Sequence, residues 1–207
     1  MITAIVLLTC HGVLSVYHYR VEELPWLLIQ LFDVDEENNL PTWFSEFLLL
    51  TACVCNWLCA RKKRADGDPW VRYWYVLVVG FLLMAIDEVA GVHESINSVI
   101  VITWAIPAGI ASLFAGLAFV PFLRHLPRRT ALLFALAGLG FLIGAAGLEI
   151  IGNSLVAQRL RNTLEYKLWT LVEEGLEMSG VILFIHALLS YMREPGAQSV
   201  DAALELN

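Results

Sequence analysis

Charge is scarce in this sequence. Of 207 residues only 16% are Asp, Glu, Lys or Arg, where a soluble domain carries about a quarter. Together with 58% apolar residues and a mean hydropathy of +0.68, that shortage excludes an ordinary water-soluble domain and makes the bilayer the expected solvent. Basic residues are the scarcer sign, 13 Lys and Arg against 20 Asp and Glu, for a formal charge of -7. Phosphate backbones need a basic surface, so nucleic acid is excluded as a partner. Cysteine is limited to Cys10, Cys53, Cys55 and Cys59, all inside apolar stretches. A disulfide framework is therefore not expected, and without a second cysteine pair or a nearby histidine these thiols read as small packing groups. The first residues, Met1 to Leu8, lack a basic leader and no A-x-A-like site follows, so this segment is expected to be a retained helix.

What the chain has in quantity is long apolar runs. Six can be drawn, over residues 2–19, 41–60, 73–90, 99–123, 130–151 and 167–192. Each is long enough to cross a hydrocarbon layer of about 30 Å at about 1.5 Å per helical residue. The fold class expected is an all-α integral membrane protein, a six-helix bundle forming one domain over residues 1–192. Residues 24–32 are apolar but too short to span, and are expected to lie at the interface. The acidic run Asp33-Val34-Asp35-Glu36-Glu37 that follows reads as a solvated loop, since the glycine of a calcium loop is missing. The polar tail, residues 193–207, is expected to be flexible and cytoplasmic.

Orientation follows from the basic residues, which are retained on the cytoplasmic side. An N-in, C-in arrangement places Arg61, Lys62, Lys63, Arg64, Arg72, Arg124, Arg128, Arg129 and Arg193 inside and leaves Arg20, Arg159, Arg161 and Lys167 outside. Aromatic belts agree, with Tyr17, Tyr19, Trp26, Trp43, Tyr166 and Trp169 expected at the outer interface and Trp70, Tyr73, Trp74, Tyr75 and Tyr191 at the inner one. Small residues at Ala137, Gly140, Gly144 and Gly147 in the fifth helix, and at Ala108, Ala111 and Ala115 in the fourth, predict close backbone approach and a central position for both. Pro107 is expected to kink the fourth helix.

Laid over this topology, the ionisable residues fall in one leaflet. Helix one carries His11 and His18, helix two Glu46, helix three Asp87, Glu88, His93 and Glu94, helix five Glu149 and Asn153, and helix six Glu173, Glu174 and Glu177. Each charge near mid-membrane costs about 2.5 to 3.5 kcal/mol, so these side chains are expected to face one another. Eight acids then meet four outer bases, and the excess calls for protons, water or a bound cation. Asp87 and Glu94, seven apart, share a helix face, as do Glu173 and Glu177, four apart. A carboxylate-rich set with one or two imidazoles and no thiolate suits iron, manganese or zinc, as one or two ions. The metal ligands expected are Asp87, Glu88, His93, Glu94, Glu149, Glu173, Glu174 and Glu177, with His11, His18, Glu46 and Asn153 as secondary candidates. The Glu-x-x-His pairs of carboxylate-bridged two-metal bundles are absent. Haem, with His11, His18 or His186 as axial ligand, is disfavoured because a single histidine in an apolar helix is ordinarily a hydrogen-bonded packing residue.

The stretches Asp87-Glu88-x4-His93-Glu94 and Glu173-Glu174-x2-Glu177-Met178-x-Gly180 resemble motifs of multi-pass bacterial membrane proteins that carry no assigned activity. The resemblance covers the third to sixth helices and implies a bacterial inner-membrane location but no reaction. Three functional classes remain open: a metalloprotein, extending to an enzyme acting on a lipid or other hydrophobic substrate; a non-catalytic subunit of a larger membrane complex; and a proton- or ion-coupled transporter, which would spread its ionisable residues through the full membrane depth.

Overall fold

A computed structural model describes residues 1–92 and 103–193, apart from the side chain of Ala157. Every regular element among them is helical: α1 (Ile2–Arg20), α2 (Trp26–Phe32), α3 (Leu40–Ala65), α4 (Val71–Ala90), α5 (Ala105–His125), α6 (Arg128–Leu142), a π-helical turn (Ile143–Leu148), α7 (Glu149–Ala157) and α8 (Leu164–Arg193). Six helical stretches are long and apolar enough to cross a membrane, with α6, the π-turn and α7 forming one of them.

Local chemistry sets several of these boundaries. Asn39 caps α3 by accepting the Thr42 N–H at 3.2 Å, and Pro41 sits in the first turn, where its missing N–H costs nothing. Lys62, Lys63 and Arg64 close the other end, where cations complement the helix dipole. α4 stops at Gly91, whose φ of 54° is the left-handed conformation that ends a helix most cheaply with glycine. Pro107 does not kink its helix as expected: α5 begins at Ala105, so Pro107 falls in the first turn and Pro121 is the interior proline. Residues 99–102 of the expected fourth span lie outside the described residues, as do residues 194–207 of the tail.

α8 is the axis of the bundle, packing against α1, α3, α6, the π-turn and α7, while α3 pairs most extensively with α4. The backbones of α6 and α8 come close because Gly180 faces Ala137 and Phe141, and Gly144 faces Glu173 and Glu177. Of the small residues expected to mediate this approach, Gly140 meets nothing within 4 Å and Gly147 only Ile143 of its own helix. The fourth span is not central. Ala111 and Ala115 are exposed, and α5 touches the rest chiefly along α6 and the π-turn.

The two ends of the bundle differ in chemistry. At the basic end Lys63 bonds Asp68 at 3.2 Å, lies over the Tyr191 ring, and Trp70 stacks on His125. Next to it lies an aromatic core: Trp74 meets Phe122, Phe134 and Tyr191, and Phe184 meets Phe81 and Phe134, with ring centroids 4.4 to 6.2 Å apart. Trp74 and Tyr191, expected in a belt, are thus core residues, and so is Tyr166 at the opposite end. That acidic end gathers the start of α8, the ends of α1, α4 and α7, and residues 33–39.

Candidate carboxylate site

The site is built on α8, which presents Glu173, Glu174 and Glu177 over little more than one turn. Glu173 is 7% exposed, whereas Glu174 and Glu177 are half-buried. The π-turn brings a second helix against them. Its Gly144 has no side chain to occupy the space in which a Cβ would lie 2.8 Å from Glu177 Cγ and 2.9 Å from the Glu173 carbonyl oxygen. A π-turn inserts an extra residue and rotates the helix beyond it, a distortion found often at functional sites. Here the first residue after it is Glu149, which stands within electrostatic reach of Glu173 and Glu177. Asn153, one turn on, donates from Nδ2 to Glu149 Oε1 at 2.9 Å and to Thr103 Oγ1 at 2.8 Å. Trp169 donates from Nε1 to the Leu148 carbonyl at 3.0 Å, fixing α8 to the same junction.

α4 supplies the third wall. Its last turn carries Asp87 and Glu88, and both stand within electrostatic reach of Glu177, with Glu88 also in reach of Glu174. Asp87, Glu88, Glu149, Glu173, Glu174 and Glu177 thus surround one region between α4, α8 and the junction of the π-turn with α7. His93 and Glu94 lie outside the described residues. Among the described residues no three His, Cys, Asp or Glu side chains form a group able to hold a metal ion as they stand. The described acids therefore form a neighbourhood of carboxylates and not a metal-ligand set as they stand.

A second polar assembly lies beside the first, and its main members were not expected there. The acidic loop is not solvated at its start: Asp33 is 4% exposed and Val34 is buried. Lys167 of α8, itself buried, bonds Asp33 Oδ2 at 2.7 Å and Asp35 Oδ2 at 3.2 Å, and Tyr166 donates to Asp35 Oδ1 at 2.8 Å. His11 of α1, 2% exposed, donates from Nε2 to the Lys167 carbonyl at 3.0 Å and accepts the Val34 N–H on Nδ1 at 3.2 Å. Both ring nitrogens are thus held by protein partners, with Asp33 Oδ1 3.5 Å from Nδ1. His18 accepts the Leu24 N–H on Nδ1 and shapes the turn after α1. In α3, Glu46 buries Oε2 without a hydrogen-bond partner among the described residues.

The one sequence signal for this assembly is the coincidence of Asp33-x-Asp35 with a lysine placed inside an apolar helix. Nothing local pairs them, because 132 positions separate Asp35 from Lys167.

Compared with known proteins, the chain matches a family model described as "Domain of unknown function (DUF8692)" over residues 1–192. No curated protein and no solved structure matches it.

Proposed function

We propose that this chain, which belongs to the DUF8692 family, is a multi-pass membrane protein of the bacterial inner membrane with both termini cytoplasmic, and that its acidic end is an extracytoplasmic cation-binding pocket. The reading rests on the convergence of Glu149, Glu173 and Glu177 where Gly144 lets the π-turn close on α8. Carboxylates gathered in this way repel, and a cation among them relieves that repulsion. Lys167, the buried lysine at that level, is already engaged by Asp33 and Asp35 and does not supply the positive charge. A divalent ion is the occupant that would draw the surrounding carboxylates inward.

Iron, manganese or zinc fits the oxygen-rich donor set. Glu149, Glu173 and Glu177 are the ligands proposed from the described residues, with Asp87, Glu88 and Glu174 bordering them and His93 and Glu94 expected from the adjoining segment. A metal held there would polarise a substrate oxygen, the chemistry a membrane enzyme acting on a lipid or other hydrophobic substrate would use. The transport alternative finds less support. The half of the bundle beyond the pocket is filled by Trp74, Phe81, Phe122, Phe134 and Phe184, where a transport relay would place ionisable residues. The accessory-subunit alternative draws support from α5, whose exposed Ile106, Ile110, Leu113, Phe114 and Leu117 form a face that a larger complex would cover.

Elemental analysis of protein purified without chelators tests the proposal. Wild type is expected to carry stoichiometric metal and Glu177→Gln to lose it while still folding. Metal-free wild type returned from a metal-supplemented preparation overturns the reading and leaves the accessory role.

A further inference from the structure

Residues 33–39 cross the acidic end of the bundle from one wall of the carboxylate pocket to the other. At one side Asp33 and Asp35 are fastened to Lys167 and Tyr166 at the start of α8, and Val34 is tied through its N–H to His11 of α1. At the other side the Glu37 carboxylate packs directly on Gly91, the residue that ends α4. Between these points Asn39 fixes the segment from below: its side-chain amide donates to the carbonyls of Gln30 and Asp33, and Thr42 Oγ1 donates to the Glu36 carbonyl at 2.9 Å. α8 and α4 are the two helices that carry Glu173, Glu174, Glu177, Asp87 and Glu88. Asp35 itself stands within electrostatic reach of Glu173 and Glu174.

We propose that residues 33–39 are a strap that closes the carboxylate pocket from the acidic end, with Lys167 as the bolt on α8 and the Glu37–Gly91 contact as the stop on α4. The inference builds on the pocket proposed above but concerns the segment's own attachment. Sequence chemistry favours a part that opens as a unit. The strap joins α2, a seven-residue helix with no buried residue, to the firmly capped start of α3, so it has one loose neighbour and one fixed one. Asn38, in its middle, sits at a φ of 59°, a left-handed conformation that asparagine tolerates and that lets the chain reverse direction there. The attachments are side-chain bonds to other helices, so releasing them frees the segment without unwinding any helix.

Two variants loosen the strap from opposite sides. Lys167→Met removes the bolt. Gly91→Ala forces a Cβ into the space of the Glu37 carboxylate at a positive φ. Amide hydrogen exchange of the full chain in lipid nanodiscs reads the result. In wild type, residues 33–39 are expected to exchange slowly. Each variant is expected to accelerate that exchange about ten- to a hundredfold, the equivalent of one lost charge-assisted hydrogen bond or one strained contact. The centre of α8, residues 178–188, should remain protected, which separates strap release from general unfolding. Association of Mn2+, added alone as the probe, should accelerate in both variants. If residues 33–39 exchange in wild type as fast as a free peptide, or if neither variant changes their exchange, the strap is refuted. If exchange responds while wild type binds no Mn2+, the strap stands and the cation pocket falls.

Discussion

Lys167 illustrates how a single residue is tied to the surrounding fold. Its ammonium group is buried between Asp33 and Asp35, and removing one partner from such a group leaves charge with no water to solvate it. Lys167→Met is expected to cost about 3 to 5 kcal/mol, measured as lost thermal stability in detergent. The double variant Lys167→Met with Asp33→Asn should recover part of that loss, since the stranded carboxylate goes with its partner. Asn56 makes the opposite case. It is fully buried in α3, donates from Nδ2 to the Ala52 carbonyl at 2.8 Å and leaves Oδ1 without a hydrogen-bond partner among the described residues. An unmet acceptor costs about 1 to 3 kcal/mol, so Asn56→Leu, similar in volume, is expected to leave stability unchanged or raise it. A large destabilisation in the same melt would show that Oδ1 has a partner the protein depends on.

Among the elements, the approach of α6 to α8 depends on particular glycines. Gly180→Ala would place a Cβ 2.9 Å from the Ala137 carbonyl oxygen and 3.0 Å from the Phe141 nitrogen, both backbone atoms that cannot swing aside. The expected cost is about 1 to 3 kcal/mol of overpacking. Gly140→Ala meets open space and is expected to be neutral or to gain up to about 1 kcal/mol from helix propensity. Comparing the two melts separates real contact from mere spacing.

The same contrast explains what sequence alone made legible at this scale. Apolar length revealed the six candidate spans, because hydropathy over some twenty residues is a strong local signal. Small-residue spacing revealed that α6 packs closely but did not tell Gly144 from Gly140, and it misplaced α5, whose Ala111 and Ala115 are exposed. Burial of Asp33 was hidden for a different reason. An acidic run between helices looks solvated until its partner, Lys167, is brought to it by the fold. The place of Glu149 at the acidic end was legible from depth, whereas its approach to Glu173 depends on the π-turn over Ile143–Leu148, which no residue in Ile-Gly-Ala-Ala-Gly-Leu announces.

At the scale of the whole molecule, the bundle is divided into an aromatic half and an acidic half, and the proposed orientation assigns the acidic half to the extracytoplasmic side. A reporter fused after Arg193 should be active only when it is a cytoplasmic type, such as a fluorescent protein that does not fold after export. An exported-only reporter active at that position would invert the topology and with it the side from which the pocket is reached. The central claim is that the carboxylates around Glu149 and Glu173 bind a divalent metal ion. Titrating Mn2+ into the full chain in nanodiscs, with binding followed by loss of the free-ion electron paramagnetic resonance signal, tests it most directly. Saturable binding that is lost in Glu149→Gln is the predicted result. No saturable binding, or binding unchanged in Glu149→Gln, would contradict it.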